Sequence, residues 1–228
     1  MDKQTRSNLI EYLKEFTTGA RWQKIESVVS QRTRHISVVV ENIYQPHNAS
    51  AVLRSCDGFG VQDVHIIEKD NQFDASSQVT IGADQWLNLH TYNRPGADNT
   101  EICLSDLKQK GYRIIATSPH ENDFELNELP IDQKTALVFG TELDGISDKA
   151  KEMADGFMKI PMAGFSESLN ISVSAAICLY NTTRRLKNSD IKWQLSQEEM
   201  QVLKLEWLKK SIKAGEHLEQ KFLDKLVK

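Results

Sequence analysis

Four stretches of this 228-residue chain place polar side chains directly behind apolar runs, where an open α/β sheet puts its ligands. In the first, Asn48 and Arg54 stand six residues apart behind QPHN, close to two helical turns, and so lie near one another in azimuth. In the second, Thr117 and Ser118 close the run YRIIATS. In the third, ALVFG leads into Gly140, Thr141 and Glu142. In the fourth, KIPMAGFSESLN opens a helix at Ser168, Leu169 and Asn170. Taken singly, each has a plain structural reading. Asn48, Ser168 or Asn170 can cap a helix, Gly140 can serve a turn, Glu142 can cap, and an arginine on a helix is usually solvated or ion-paired. His47 and His65 read as structural histidines rather than ligands. The chain has no glycine-rich dinucleotide fingerprint, no P-loop and no nucleophile elbow, which disfavours an ordinary Rossmann dinucleotide enzyme.

The elements that must position these residues follow from periodicity. HISVVVE at residues 35–41 is a β-branched run of strand length. Pro46 then starts a helix that ends near Gly58 or Gly60, and VHIIE supplies a second strand. Strand, helix and strand in about 30 residues is the βαβ signature of a parallel sheet. The pattern continues with a helix near 99–110, strands at YRIIATS and TALVFG, a helix near 147–154, a strand at FMKIP and a long helix from about 168 to 186. The expected fold is α/β, a parallel sheet with helices on both faces over residues 36–187. Residues 1–35 form a helical extension of two short amphipathic helices with Gly19 as the stop between them, and residues 188–228 form a second, Glu- and Lys-rich helical extension.

Charge is unevenly distributed. Residues 1–36 carry seven basic and four acidic side chains, residues 184–228 eleven and seven, and the middle ten and twenty-one. A polyanion would therefore meet the ends, although a net charge of −4 is low for a nucleic-acid binder and solvated helix faces would look the same. Cys56, Cys103 and Cys178 are spaced for neither a zinc site nor a disulfide framework, and read as reduced thiols. With no signal peptide and no long apolar segment, the expectation is a cytoplasmic protein without membrane or metal.

In order and spacing, ENIYQPHNASAVLRSCDGFGVQDVHIIE, TALVFGTELDGIS and IPMAGFSESLNISVSAAICLYNTTRR resemble the three signature motifs of the SpoU branch of the SPOUT RNA methyltransferases. The resemblance spans about residues 36–186. It implies a C-terminal deep trefoil knot over roughly 136–180 and S-adenosyl-L-methionine as cofactor. The cofactor would lie among Thr117, Ser118, Phe139, Gly140, Glu142, Ile160, Pro161, Met162, Ser168, Leu169 and Asn170. It further implies 2′-O-methylation of an RNA ribose, in which Arg54 removes or polarises the hydroxyl proton. Asn48 would orient Arg54 or the ribose, and Glu142, Ser168 and Asn170 would complete the polar ring. A guanidinium is an awkward base, so Arg54 acts either as a base with a lowered pKa or as a charged stabiliser of the forming alkoxide.

The resemblance also implies a homodimer, with the 168–186 helix and the motif-one helix at the interface. The short extensions at both ends look like those of TrmH-type enzymes, which methylate the D-loop guanosine at position 18 of tRNA. The alternatives are another tRNA position or ribosomal RNA and, from a different class, a non-catalytic RNA-binding module.

Overall fold

In the computed structural model the described residues are 1–70, 73, 80, 82–118, 121, 123–141 and 144–226. They fall into two compact units, residues 33–193 and, separately, residues 1–32 with 194–228.

The larger unit is built on seven parallel strands: β1 (Ile36–Glu41), β2 (Asp63–Ile67), β3 (Asn88–Tyr92), β4 (Arg113–Thr117), β5 (Phe124–Glu125), β6 (Thr135–Phe139) and β7 (Gly156–Lys159). Their order is β3-β2-β1-β6-β4-β7-β5. The helices are α3 (Pro46–Phe59), α4 (Asn99–Gln109), α5 (Asp148–Met153) and α6 (Ile171–Lys187). β1, β2 and β6 are buried at every position, as parallel strands covered on both sides must be.

Side chains alternate between two cores. Val38, Val40, Ile115, Leu137 and Phe139 join Val52, Leu53, Cys56, Ala175, Cys178 and Leu179 of α3 and α6. Val39, Ile114, Ala116, Ala136 and Val138 join Cys103, Leu104, Leu107 and Ala150 of α4 and α5. The period-two alternation of the strands thus carries helices on both faces of the sheet.

The smaller unit holds α1 (Lys3–Lys14), α2 (Gly19–Val29), α7 (Gln197–Ser211) and α8 (Gly215–Leu226). Its core is Leu9, Ile10, Leu13, Ile25, Val29, Leu203, Trp207 and Leu208, so the two chain ends share one apolar interior. Arg32 is fully buried there, its guanidinium 5.1 Å from the Trp207 ring. Trp207 is consequently a core residue and not an exposed stacking platform.

Several boundaries differ from those expected. Gly19 opens α2 behind the cap Thr18 rather than stopping the first helix, because Thr18 Oγ1 accepts from Arg21 N at 3.2 Å. The long helix starts at Ile171 instead of 168, since Asn170 caps it. The tail is two helices, broken at residues 212–214. Strand β3 has no counterpart among the expected strands, since its sequence NLHTY is mostly polar.

The reason for that polarity is a cluster on one side of the β2–β3 edge. Asp63 accepts from Arg34 Nε at 2.8 Å and from Asn88 Nδ2 at 3.0 Å, and lies 3.3 Å from His90 Nε2. The His65 and His90 rings stack at 4.6 Å, and Tyr92 Oη donates to Asp106 at 2.9 Å. Burial tends to raise the Asp63 carboxyl, but His90, Arg34 and Asn88 outweigh it and leave the group below its ordinary value. Burial, followed by the neighbouring His90, pushes His65 down to about 4.

An unfolded chain binds a proton at His65 below about pH 6.5, whereas the folded one resists it to about 4. The contribution is therefore whole above pH 6.5 and is lost as the pH falls from 6.5 to 4. Urea titrations at pH 7, 5.5 and 4.5 should show this acid loss in the wild type and a shallower one in His65→Gln; equal slopes would discount His65 as its source.

Candidate active-site cleft

The first motif turns at Asn42, which adopts φ 56, a left-handed conformation that asparagine tolerates. Its side-chain oxygen accepts from Asp70 N at 3.0 Å. Pro46 then occupies the first position of α3, where its missing N–H costs nothing, and Gln45 is the cap residue without a side-chain capping bond. Asn48 is therefore not the cap. It sits in the first turn, 3% exposed, with Ala49, Val52, Leu53 and Cys56 making the buried face. Gly60, at φ 86, ends the helix in the left-handed conformation.

Asn48 Nδ2 donates to Gln45 Oε1 at 3.1 Å, and Asn48 Oδ1 accepts from Asn170 Nδ2 at 3.1 Å. Asn170 Oδ1 in turn accepts from Ser172 N at 2.9 Å and Ser172 Oγ at 2.6 Å. One amide thus both caps α6 and bonds to a residue 122 positions earlier. Arg54, on the same helix, is exposed and makes no hydrogen bond or ion pair among the described residues.

Beyond the C-terminal ends of β4, β6 and β7 lies a cleft of about 270 Å³. Of the residues singled out from the sequence, Thr117, Ser118, Phe139 and Gly140 line one part, and Ile160, Met162, Ser168 and Leu169 another. Pro161 and Asn170 do not line it, and neither do Asn48 and Arg54. Glu142 lies outside the described residues. Thr117 Oγ1 donates to Val138 O at 2.9 Å and Ser118 N to Met158 O at 3.1 Å, which locks the end of β4 between its neighbours.

Thr141, also singled out from the sequence, lines it too, and the structure adds Asp144, Lys151, Lys159, Glu167 and Cys178. The charged ones carry no sequence signal beyond standing next to a motif. Cys178 is identifiable only from the packing of α6. Burial pushes its thiol up to about 12, so it forms a neutral apolar wall.

The backbone crossing at the mouth of β6 is tight. Thr141 N donates to Gly145 O at 2.9 Å and Gly145 N to Thr141 O at 3.1 Å. A Cβ added to Gly140 would stand 2.1 Å from Gly145 O. Glycine is therefore required at 140 for clearance, and at 145 for its φ of 68. A larger hollow of about 840 Å³ lies past β2, walled by Glu68, Lys69, Asp70, Arg94, Asp98 and Lys149. Its walls carry charges of both signs and include none of the strand-end residues singled out from the sequence, so the smaller cleft is the better candidate.

The sequence profile of the SpoU rRNA Methylase family matches residues 35–180. The chain belongs to the SpoU rRNA methylase family. A tRNA (guanosine(18)-2′-O)-methyltransferase of Borreliella burgdorferi is 39% identical over 210 residues, covering 92% of this chain and 94% of that protein. The enzyme of that name from Thermus thermophilus is 32% identical over 195 residues, 85% of this chain and 98% of its own length. The crystal structure of the A. aeolicus TrmH/SpoU tRNA modifying enzyme matches with a TM-score of 0.74 and 29% identity, over 84% of this chain and 96% of that one. The SpoU match includes all four stretches that line the cleft or flank it.

Gly140→Ala should leave the chain folded by circular dichroism and weaken S-adenosylmethionine binding at least about tenfold by calorimetry, because the crossing must open to admit the methyl group. Unchanged affinity would mean that the crossing does not shape the ligand site.

Proposed function

We propose that this chain transfers a methyl group from S-adenosylmethionine to the ribose 2′-hydroxyl of guanosine 18 in the D-loop of tRNA. The observation that carries this reading is the joining of the first and third motifs by the Asn48–Asn170 bond beside the cleft. The names of the full-length relatives from Borreliella and Thermus supply the substrate.

The lining residues fit the cofactor. Ile160, Met162 and Leu169 offer apolar walls to an adenine ring, and Thr117, Ser118 and Ser168 offer hydroxyl and backbone partners to its edge. Asp144 and Glu167 suit the positive sulfonium and amine, and Lys151 and Lys159 suit the carboxylate. When bound, the cofactor supplies a methyl group already activated as a sulfonium.

In the reaction the 2′-oxygen forms a bond to the methyl carbon and the carbon–sulfur bond breaks. S-adenosylhomocysteine leaves, and the hydroxyl proton passes to solvent. A guanidinium in water stays protonated, so Arg54 is assigned to holding the developing alkoxide by charge and hydrogen bonding rather than to taking its proton. Asn48 and Asn170 hold one another and so fix the starts of α3 and α6. Glu142 and Ser168 are assigned to the polar ring around the hydroxyl.

Arg54 points into solvent and does not line the cleft of its own chain, which supports a homodimer in which each Arg54 serves the partner's cleft. The exposed face of α6 supplies a surface for it. Val173, Ile177 and Tyr180 recur there at helical spacing, and Phe59 of α3 packs edge-on against Tyr180 with ring centroids 6.0 Å apart. The trefoil knot over 136–180 is part of the same reading. It is supported by the resemblance of the three motifs and by the insertion of β6 between β1 and β4. The helical unit at the two chain ends, where positive charge accumulates, is assigned to RNA contact. Reaction with tRNA supports a cytoplasmic location.

With unmodified tRNA transcript and labelled cofactor, nuclease mapping should find the methyl group at guanosine 18. Arg54→Ala should lower the rate by about 100-fold or more while leaving cofactor affinity within about twofold. Methyl at another nucleotide, or full activity in Arg54→Ala, would overturn the reading. Ile177→Glu should convert the dimer to an inactive monomer in sedimentation, by burying an unpaired charge in the interface.

A further inference from the structure

We infer that Glu41, which touches neither the cleft nor the first-motif amides, is a positioning residue for the backbone crossing that shapes the cleft. The inference rests on the reading of that cleft as the cofactor site. Glu41 is the last residue of β1, 2% exposed, one step beyond the pairing of Val40 with Phe139 at the end of β6. A buried carboxylate at this position is costly unless each oxygen is well supplied with donors.

It is well supplied. Oε1 accepts from Ser147 Oγ at 2.7 Å and from Thr100 Oγ1 at 2.5 Å, and Oε2 accepts from Ser147 N at 2.8 Å. Ser147 is the cap of α5, its Oγ accepting from Ala150 N at 3.2 Å, and Thr100 lies in the first turn of α4. The chain leaves β6 through Gly140 and Thr141, returns at Asp144–Ile146 past the cleft, and is pinned at Ser147. One end of the crossing is therefore held by sheet pairing at Phe139. The other is held by the Ile146 side chain in the core and by two hydrogen bonds to Glu41.

Without the carboxylate, Ser147 N and the two hydroxyls lose a shared buried acceptor, and the return limb loses its fixed end. Among the described residues, the Thr141–Gly145 pairing then keeps the Ile146 side chain and the bond from Asp144 N to Thr141 Oγ1 at 3.0 Å, but not its anchor on β1. A glutamine can restore most of the arrangement. Its carbonyl can accept from Ser147 N while its NH2 donates to the two hydroxyl oxygens, each of which can accept. A role through shape rather than charge follows from that geometry.

The test compares Glu41→Ala, Glu41→Gln, Ser147→Ala and Thr100→Val. Two quantities are read: amide-exchange protection at Gly145 in the ligand-free protein, and the Kd for S-adenosylmethionine by calorimetry. Glu41→Ala should lower protection at Gly145 and weaken the cofactor about tenfold, with Glu41→Gln restoring both to within about threefold. Ser147→Ala should move both in the same direction. Thr100→Val removes only the contact to α4 and should leave both near wild type. Because the exchange measurement needs no ligand, it tests Glu41 even if the wild type fails to bind S-adenosylmethionine, an outcome that would sink the cofactor reading instead. Protection at Gly145 unchanged in Glu41→Ala, or Thr100→Val acting as strongly as Ser147→Ala, would overturn the inference.

Discussion

All seven strands run in one direction, so every strand delivers its C-terminal residue to the same edge of the sheet. Groups separated by many residues are thereby brought within reach of one another. Thr117 at the end of β4, Gly140 after β6 and Ile160 after β7 meet around one cleft although they are far apart along the chain. The burial of β1, β2 and β6 on both faces is what makes that edge rigid, because it leaves the strands no freedom to slide.

At that edge, short polar contacts finish what apolar packing begins. Packing of α3 on α6 sets the two helices to within side-chain reach, and the amide pair of Asn48 and Asn170 selects their relative register. Neither amide can be exchanged freely, since Asn170 both caps α6 and bonds Asn48, while Asn48 bonds Gln45 and Asn170 at once. The crossing beside β6 depends on a different limit, the absence of a side chain at Gly140, and on a carboxylate that reaches it from the neighbouring strand. Arg54 thus stands exposed in the midst of residues whose work is to hold backbone.

The two ends of the chain obey a simpler rule. Four amphipathic helices that cannot bury their apolar faces alone do so on each other, closing over Leu13, Val29, Leu203 and Trp207. Their lysines remain at the surface, and Trp22 carries Lys14 and Lys204 at 4.9 and 5.5 Å from its ring.

Period and composition were enough to determine the parallel α/β class and the strands β1, β2, β4, β6 and β7, because buried parallel strands are continuous apolar runs. The same patterns marked Thr117, Ser118, Gly140, Ser168 and Leu169 as neighbours of strand ends, and the structure gathers them in one cleft. Strand β3 is not legible in the sequence because Asn88, His90 and Tyr92, which share one face, are polar and answer Asp63, His65 and Asp106 in three dimensions only. The role of Gly19 is ambiguous in sequence because a glycine stops or starts a helix according to its neighbours, and here Thr18 supplies the cap. Tertiary structure alone decided that Asn170 bonds to Asn48, that Cys178 and Asp144 face the cleft, and that Glu41 reaches Ser147 across 106 positions. Periodicity along a chain specifies which face of an element is buried, but which element it meets depends on how the sheet is ordered, and no local pattern encodes that order.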